Sequence, residues 1–240
     1  MRTTNGEEAL MMEYRQIQQI ARQTIEDVKG EIRPGMRLAE VRAFCERRLL
    51  ELGADSFWYH GIGAFVFAGD ETAVSVSGRQ YVTSDRLIGK DDIVTIDLSP
   101  QKCGVWGDYA RTIVLEDGVV RASVSEIRNE AWRAGLAMQE RLHEELLRFA
   151  TLRTTFHQLH AHINALLVRE GFVNLDFHGN LGHSICRHMD ERVYTEAGNH
   201  APLSSVERFT FEPHIGLPGS PYGYKKENIY FFEDGRLMAL

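Results

Sequence analysis

Four acidic residues lie inside or directly beside apolar runs that predict β-strands: Asp97, Asp108, Glu212 and Glu227. Asp97 interrupts the run from Ile93 to Leu98, and Glu212 follows Phe209-Thr210-Phe211. A buried carboxylate costs free energy unless a positive charge compensates it. An arginine could compensate one or two of these acids, whereas a cation cluster compensates all four, and hard divalent ions favour carboxylate oxygens. The acids therefore predict a site for divalent metal ions.

The four acids recur at a nearly constant shift along the chain, which is a property of duplicated sequences. Glu212 follows Asp97 by 115 residues, and Glu227 follows Asp108 by 119 residues. If each half of the chain supplies two acids, they meet at a pseudo-twofold axis, and this arrangement predicts a dinuclear site. A histidine in the glycine-flanked turn Asn180-Leu181-Gly182-His183-Ser184 is suited to complete the site.

The elements around these residues repeat in the same way. Apolar residues recur every three or four positions over 10–28 and 38–52, which predicts two helices. Capping boxes at Ser123–Glu126 and Thr155–Gln158 predict the starts of two more. Strands are predicted after each helix pair, in the segments 64–67, 73–77, 93–98, 112–115, 209–211 and 229–232. We therefore predict an α+β fold in which one domain spans residues 1–240, with pseudo-repeats of about 1–120 and 121–240.

The composition excludes several classes of partner. With 34 Asp+Glu against 27 Lys+Arg, the formal net charge is −7, which argues against nucleic acid or an anionic membrane as the main partner. No window approaches the ~18 consecutive apolar residues of a membrane span, and the polar N-terminus lacks an apolar signal core. The three cysteines have no CxxC spacing, which suits a reducing compartment and offers no thiolate zinc site. We predict a cytoplasmic protein.

Five short motifs occur in order along nearly the whole chain: Ile96-Asp97-Leu98, Asp108-Tyr109-Ala110-Arg111-Thr112, Asn180-Leu181-Gly182-His183, Thr210-Phe211-Glu212-Pro213, and Glu227 before the last predicted strand. Together they resemble the pita-bread metallopeptidase family, which includes methionine aminopeptidase, Xaa-Pro aminopeptidase, prolidase and creatinase. The segment Gly223-Tyr224-Lys225-Lys226-Glu227 is more similar to the prolidase and Xaa-Pro branch than to methionine aminopeptidase. The resemblance implies the pita-bread fold, a catalytic domain without the separate N-terminal domain of that branch, and a homodimer.

The resemblance also implies a metal site with two divalent ions. Asp97 would chelate one ion, and Asp108 and Glu227 would bridge both. His183 and Glu212 would hold the other ion, and Glu212 would move a proton from the bridging water to the leaving nitrogen of an amide. Manganese is the first expectation, with cobalt, iron or zinc as alternatives, because carboxylates with one imidazole select weakly among these metals.

Two histidines that active members of the family keep beside the metals are replaced here. Gln80 takes one place and could donate a hydrogen bond to substrate, but it cannot carry a proton; Asp190 takes the other. Other histidines near the motifs are candidates for the missing imidazole: His60 and His214 for catalysis, His188 for binding substrate, and His178 just before the turn of His183.

Arginine and aromatic side chains near the motifs are candidates for a substrate pocket. Arg79, Arg111 and Arg187 could hold a substrate carboxylate, although structural ion pairing is the commoner role of such residues. The aromatic candidates for pocket walls, which are as often core residues, are Trp58, Tyr59, Trp106 and Tyr222.

These observations favour a metal-dependent hydrolase similar to Xaa-Pro peptidases, acting on an amide or another C–N bond of a small peptide or small molecule. One alternative is a non-peptidase that uses the same centre on a small metabolite, as creatinase does. A second is an inactive peptidase-like binding protein, which loss of ligands would mark. Because the ligands are kept and the flanking imidazoles are not, we predict metal binding with weak turnover of ordinary peptides.

Overall fold

The computed structural model describes residues 5–240, and two helices open its fold. Helix α1 spans Asn5–Glu31 and α2 spans Leu38–Glu51, which confirms both predicted helices. The buried side chains of α2 lie on one face at the spacing of an amphipathic helix: Leu38, Val41, Cys45 and Leu49.

The first helix pair packs against antiparallel strands, α1 against β4, β5 and β6 and α2 against β2. The strands are β1 Ser56–Phe57, β2 Ala64–Ala68, β3 Asp92–Leu98, β4 Pro100–Lys102, β5 Val105–Trp106, β6 Tyr109–Glu116 and β7 Val119–Val120. One sheet has the order β2-β3-β6-β7, and another has the order β1-β4-β5. In the first sheet Asp97 pairs with Phe65 on one side and Ala110 on the other, so its carboxylate lies on a central strand.

The second half repeats the order of two helices followed by strands. Helix α3 spans Glu130–Phe149 and α4 spans Phe156–Arg169. The strands are β8 Val173–Asn174, β9 Phe209–Phe211, β10 His214–Gly216, β11 Gly223–Lys225, β12 Asn228–Glu233 and β13 Arg236–Ala239. They form two three-stranded antiparallel sheets, with the orders β11-β10-β8 and β13-β12-β9.

Each helix pair has its own hydrophobic core. One core surrounds α1 and α2 and includes Ile17, Ile25 and Leu49. The other surrounds α3 and α4 and includes Leu142 and Ile163. In the described part of the chain, no helix is long and apolar enough to cross a membrane.

The two halves join beside the predicted acids. The amide of Glu227, between β11 and β12, donates to the carbonyl of Ala110 in β6 at 3.0 Å. The amide of Lys225 donates to Thr112 Oγ1 at 2.9 Å, and this hydroxyl donates to the Lys225 carbonyl at 3.2 Å. Strand β6 of the first half is therefore tied to the β11–β12 connection of the second.

The predicted helix start at Ser123 is wrong. Ser123 and Glu126 bound a single 3-10 turn, and α3 begins at Glu130 with Asn129 as its N-cap. The carboxylate of Glu116 in β6 accepts the amide of Asn129 at 2.8 Å, which holds this residue in extended conformation immediately before the helix. A contact distant in sequence therefore decides where the helix begins.

Two further predictions differ in outcome. The predicted strand 73–77 does not form, because this segment follows the 3-10 turn Gly69–Ala73 and lines a cavity instead of pairing. The capping box at the start of α4 is confirmed: the Gln158 amide donates to Thr155 Oγ1 at 3.1 Å, and the Thr155 amide donates to Gln158 Oε1 at 2.9 Å.

Candidate metal centre

The structure brings the five predicted ligands together at the junction of the two halves. Asp97, Asp108 and Glu227 each offer an oxygen, and these oxygens all lie within 4.8 Å of one another. His183 Nε2 lies 3.6 Å from Asp108 Oδ2 and 3.7 Å from Glu212 Oε1. These residues come from β3, from the turns beside β6 and β9, from a loop, and from the β11–β12 connection, so no short segment alone could form the site.

A buried glutamine of α1 positions Asp108. Gln18 Nε2 donates to the Asp108 carbonyl at 2.6 Å, and Gln18 Oε1 accepts the Asp108 amide at 3.0 Å. Both peptide groups of Asp108 are thus held by one side chain, which leaves its carboxylate free to face the cluster. The carboxylate itself is buried, since the residue is only 4% exposed.

A close approach of loop and strand positions His183 and Glu212. Gly182 has a φ of +139°, and a Cβ there would lie 2.3 Å from the carbonyl oxygen of Thr210. Only glycine therefore allows this turn to lie against β9. The Thr210 hydroxyl accepts the His183 amide at 3.0 Å and donates to Glu212 Oε1 at 3.0 Å, so it fixes both residues.

The imidazole of His183 is held in the tautomer that a metal ligand needs. Its Nδ1 lies 3.0 Å from the carbonyl oxygen of Ser184. Because a carbonyl oxygen only accepts, Nδ1 carries the proton and the lone pair of Nε2 faces the carboxylates. Burial lowers the pKa of His183, which keeps the ring neutral.

Glu227 and Asp108 are the carboxylates of the cluster for which the charged form is most unfavourable. Burial, and then the neighbouring acids, raise the pKa of each well above its usual range. Both carboxylate oxygens of Glu227 are buried, and neither has a hydrogen-bond partner in the described part of the chain. Buried carboxylates without donors are compensated by a cation, and this set of oxygens with one imidazole nitrogen fits a divalent metal ion.

A lysine that the sequence analysis did not select lies among the acids. Lys225 Nζ is 2.5 Å from Asp97 Oδ2, 2.8 Å from Glu212 Oε2 and 3.6 Å from Glu227 Oε2. Burial works to lower the pKa of Lys225, but the three carboxylates outweigh it and raise the pKa well above its usual value. Burial works to raise the pKa of Glu212, but Lys225 and then His183 outweigh it and the pKa falls to about 2.

The cluster lies in a cavity of about 930 Å³. Trp58, Tyr59 and Trp106 line it as predicted, and the rings of Trp58 and Trp106 stack with centroids 4.4 Å apart. The fourth aromatic candidate, Tyr222, packs against Trp132 and is not among the lining residues. The aromatic wall lies beside the metal candidates, since the Trp58 ring packs edge-on against His183 at 5.5 Å.

Arginines give the cavity a positive wall. Arg79 and Arg187 line it as candidates from the sequence, together with Arg192, which the sequence analysis did not select. The Arg192 guanidinium lies 5.5 Å from the Trp58 ring centroid and 5.4 Å from that of Tyr194. Within residues 5–240, Arg192 forms no ion pair with a carboxylate, and its Nε donates to the carbonyl of Met189 at 2.9 Å.

Arg111, the remaining candidate for a substrate carboxylate, has a structural role instead. Its guanidinium donates to the Glu227 carbonyl at 2.7 Å and to Asn228 Oδ1 at 2.7 Å. It also lies 3.8 Å from the centroid of the Tyr109 ring. Arg111 therefore fixes the backbone of a metal candidate and is not available to substrate.

The candidates for the missing imidazole lie in different environments. His214 is buried and lines the cavity, and its Nε2 lies 2.7 Å from the carbonyl oxygen of Thr72, to which it donates. Burial lowers the pKa of His214 to about 4, so the ring is neutral at pH 7. His60 lines the cavity with a φ of 55°, and burial, followed by Arg79 and Arg192, lowers its pKa.

The remaining candidates lie at the rim or outside. His178, His188 and Asp190 are exposed and line the cavity. Gln80 does not line it, and a role of Gln80 in binding substrate stays a prediction. The Gln80 side chain is exposed, because its backbone turns at Ser77 and it is the next residue, Tyr81, that points into the core.

Comparison with known proteins extends these observations. A model of metallopeptidase family M24 matches residues 12–234. Methionine aminopeptidase from Thermococcus onnurineus is 28% identical over 127 residues, which are 51% of this chain and 41% of that protein. The chain thus spans less than half the length of this curated relative.

Solved structures share the fold at low sequence identity. X-Pro aminopeptidase from Thermotoga maritima has a TM-score of 0.76 at 22% identity, over 97% of this chain and 60% of that one. Prolidase from Pyrococcus furiosus has a TM-score of 0.74 at 22% identity, over 98% and 64%. Methionine aminopeptidase from Thermotoga maritima has a TM-score of 0.72 at 15% identity, over 93% and 92%. Since the family model covers most of the sequence and the architecture agrees, the chain belongs to metallopeptidase family M24 and has the pita-bread fold.

Proposed function

We propose that the chain is a metal-dependent hydrolase that cleaves an amide or another C–N bond of a small substrate. The observation that carries the proposal is the carboxylate of Glu227, which is buried without a hydrogen-bond donor beside the equally buried Asp108. The unprotonated Nε2 of His183 faces the same point. The oxygens of Glu227 accept no hydrogen bond from the described residues, and Lys225 Nζ lies 3.6 Å from Oε2, so the carboxylate is suited to bind a metal ion.

Five residues would hold divalent metal, with manganese as the first choice: Asp97, Asp108, His183, Glu212 and Glu227. A bound divalent ion supplies Lewis acidity toward a carbonyl group and makes a neighbouring water more acidic. Glu212 is the carboxylate suited to accept a proton from water and pass it to the leaving nitrogen, because the Thr210 hydroxyl orients its Oε1. Trp58 and Trp106 exclude water from one side of the site.

The positive wall of the cavity supports a substrate with an anionic group, such as the free carboxylate of a dipeptide. Arg192 supplies a guanidinium that is packed against aromatic rings and has no protein carboxylate to bind in the described residues. Guanidinium groups bind carboxylates through paired hydrogen bonds. Prolidase and X-Pro aminopeptidase among the similar structures make Xaa-Pro dipeptides the first substrates to examine.

The test is hydrolysis by protein that has been stripped with a chelator and reloaded with Mn²⁺, Co²⁺ or Zn²⁺. We expect slow, chelator-sensitive release of the C-terminal residue from a few dipeptides, and Glu212→Gln should lower kcat by about 10²–10⁴-fold. Glu207→Gln is the matched control, because Glu207 precedes the same strand and is 75% exposed. Full activity of metal-free protein, or of Glu212→Gln, would refute the proposal.

The second candidate is the same chemistry on a small non-peptide metabolite. It is favoured by the replacement of the family's two flanking histidines, since Asp190 lies at the rim and Gln80 lies outside the cavity. A panel of N-acyl and guanidino acids, assayed beside the dipeptides, distinguishes the two candidates. Metal-dependent turnover confined to that panel would select the second.

A further inference from the structure

The turn between β1 and β2 holds a histidine in the left-handed region of backbone conformation. His60 has a φ of 55° and Gly61 has a φ of 72°. The Ile62 amide donates to the Tyr59 carbonyl at 3.1 Å and closes the turn. Positive φ at both central residues is the pattern of a type I′ turn, which prefers Asn, Asp or Gly at these positions. Histidine is therefore not the residue that this turn alone would select.

Other turns of the same kind show what the chain places there away from the cavity. Asp117 has a φ of 57° and Asp234 a φ of 49°, each directly before a glycine that also has positive φ. A further such turn carries Cys103, whose amide is held by the Asp55 carboxylate at 2.7 Å. None of these residues lines the cavity, whereas His60 does. The histidine is thus used at the turn that faces the site.

A glycine from the next loop leaves room for the His60 ring. A Cβ at Gly78 would lie 2.9 Å from His60 Cδ2 and 2.9 Å from Tyr59 Cε1. The rings of Tyr59 and His60 pack with centroids 4.8 Å apart. The imidazole is half-buried and lines the cavity, and within residues 5–240 neither of its nitrogens forms a hydrogen bond. The surroundings therefore position the ring and leave its polar atoms for a ligand.

The His60 imidazole belongs to the positive wall of the cavity. The Arg192 guanidinium lies 5.3 Å from the centroid of the Tyr59 ring, against which His60 also packs. Burial, and then the charges of Arg79 and Arg192, lower the pKa of His60, so the ring is neutral at pH 7. A neutral imidazole still carries one N–H donor. This donor and the guanidinium are both suited to an anion.

We propose that His60 binds substrate, and that its N–H donates to the same substrate carboxylate as the Arg192 guanidinium. The inference rests on the proposed function, because it takes the substrate to be an anionic one. It assigns His60 to binding instead of the catalytic role expected from the sequence. It also specifies the substrate class, since two donors at one carboxylate select a free acid, such as a dipeptide, over its amide.

Kinetics and stability of His60→Gly and of the control Asp234→Gly test the proposal. Glycine suits the turn at both positions, so the Tm of each variant should equal or exceed that of wild type. His60→Gly should raise KM for a dipeptide about 10-fold or more and leave KM for its C-terminal amide unchanged. Asp234→Gly lies outside the cavity and should match wild type on both. An unchanged KM for the acid, or an equal loss on acid and amide, would overturn the inference.

A second measurement does not depend on turnover. The histidine ring resonances of Zn²⁺-treated wild type are followed by NMR during titration with butyrate, which has a carboxylate and no C–N bond, and with 1-butanol. The resonance that is missing from His60→Gly identifies His60. We expect butyrate to shift this resonance to saturation and 1-butanol to leave it in place.

The two proposals fail in different ways. The absence of a shift, or equal shifts with butyrate and 1-butanol, would overturn the role of His60 even if the protein hydrolyses dipeptides. A saturable shift with butyrate alone, in a wild type that hydrolyses no substrate with any metal, would support the anion site and refute the proposed function.

Discussion

Among the described residues that line the cavity, Glu227 and Arg192 each present a charge that a ligand could bind. Glu227 is 1% exposed and has two carboxylate oxygens that lack donors in the described structure. Arg192 presents a guanidinium that three aromatic rings surround, at 5.3 to 5.5 Å from their centroids. One charge requires a cation and the other an anion, which is the combination expected where a metal and a carboxylate substrate meet.

Replacing Arg192 should weaken the binding of anionic substrates selectively. Charge-assisted hydrogen bonds contribute about 1.5–3 kcal/mol, so Arg192→Met should raise KM for a free-carboxylate dipeptide by roughly 10- to 100-fold with little change in kcat. The measurement is steady-state kinetics on each dipeptide and on its C-terminal amide, for which the variant should match wild type. Arg187→Met is the comparison, since Arg187 also lines the cavity but is exposed. An equal loss on acid and amide would show that Arg192 acts structurally.

The four acidic metal candidates could be predicted from the sequence because each interrupts or adjoins an apolar run, and His183 because it lies in a glycine-flanked turn. Lys225 could also have been predicted from the sequence. It lies two residues before Glu227, and alternation along an extended segment places both side chains on one face. No pattern in the sequence indicated that Arg192 lies in the site. It follows the 3-10 turn Met189–Glu191, and only tertiary packing brings it to the aromatic wall.

At the scale of elements, each half of the chain uses one buried glutamine to fix the backbone beside its ligands. Gln18 of α1 binds both the amide and the carbonyl of Asp108. Gln139 of α3 donates to the carbonyls of Pro213 and Tyr224, at 2.7 and 2.6 Å. Pro213 directly follows Glu212, and Tyr224 directly precedes Lys225. Helices α1 and α3 therefore hold the backbone of the site in place, in addition to packing in the two hydrophobic cores.

Removing the amide of Gln18 should destabilise the protein and loosen the site. Gln18→Leu leaves an amide and a carbonyl of Asp108 buried without partners, so the free energy of unfolding should fall by about 2–4 kcal/mol. Urea denaturation of metal-free protein measures this change. Gln19→Leu is the control at the next position, where the side chain is exposed, and it should remain close to wild type. Equal stability of the two variants would contradict this role.

Capping boxes in the sequence predicted the start of a helix correctly only where no contact with a distant part of the chain interfered. The capping box at Thr155 forms as predicted, whereas the one at Ser123 does not. The difference lies in Glu116, whose carboxylate accepts the amides of Arg128 and Asn129 at 2.8 to 3.0 Å. Burial works to raise the pKa of Glu116, but these amides, with Arg121 and Arg128, outweigh it and lower the pKa to about 2. A strand 12 residues away in sequence thus sets the start of α3.

For the whole molecule, the duplication was the most informative signal. The shifts of 115 and 119 residues between the acids predicted two similar halves, and the fold shows two helices followed by strands in each. The loop region 176–194 supplies much of the cavity wall. Its path could not be predicted, because it contains no long regular element and is fixed by contacts with the first half, such as the Phe177 amide with Ser75 Oγ at 3.2 Å.

The central claim is that the two halves meet around a metal ion, and the affinity for Mn²⁺ measures it most directly. Titration calorimetry on metal-free wild type, Glu227→Gln and the control Glu233→Gln, whose side chain is 54% exposed, gives this affinity. The Glu227→Gln chain should remain folded, because a neutral amide replaces a buried carboxylate that accepts no hydrogen bond in the described part of the chain. We predict tight binding by wild type and by Glu233→Gln, and no detectable binding by Glu227→Gln. Equal Mn²⁺ affinity in all three proteins would contradict the claim.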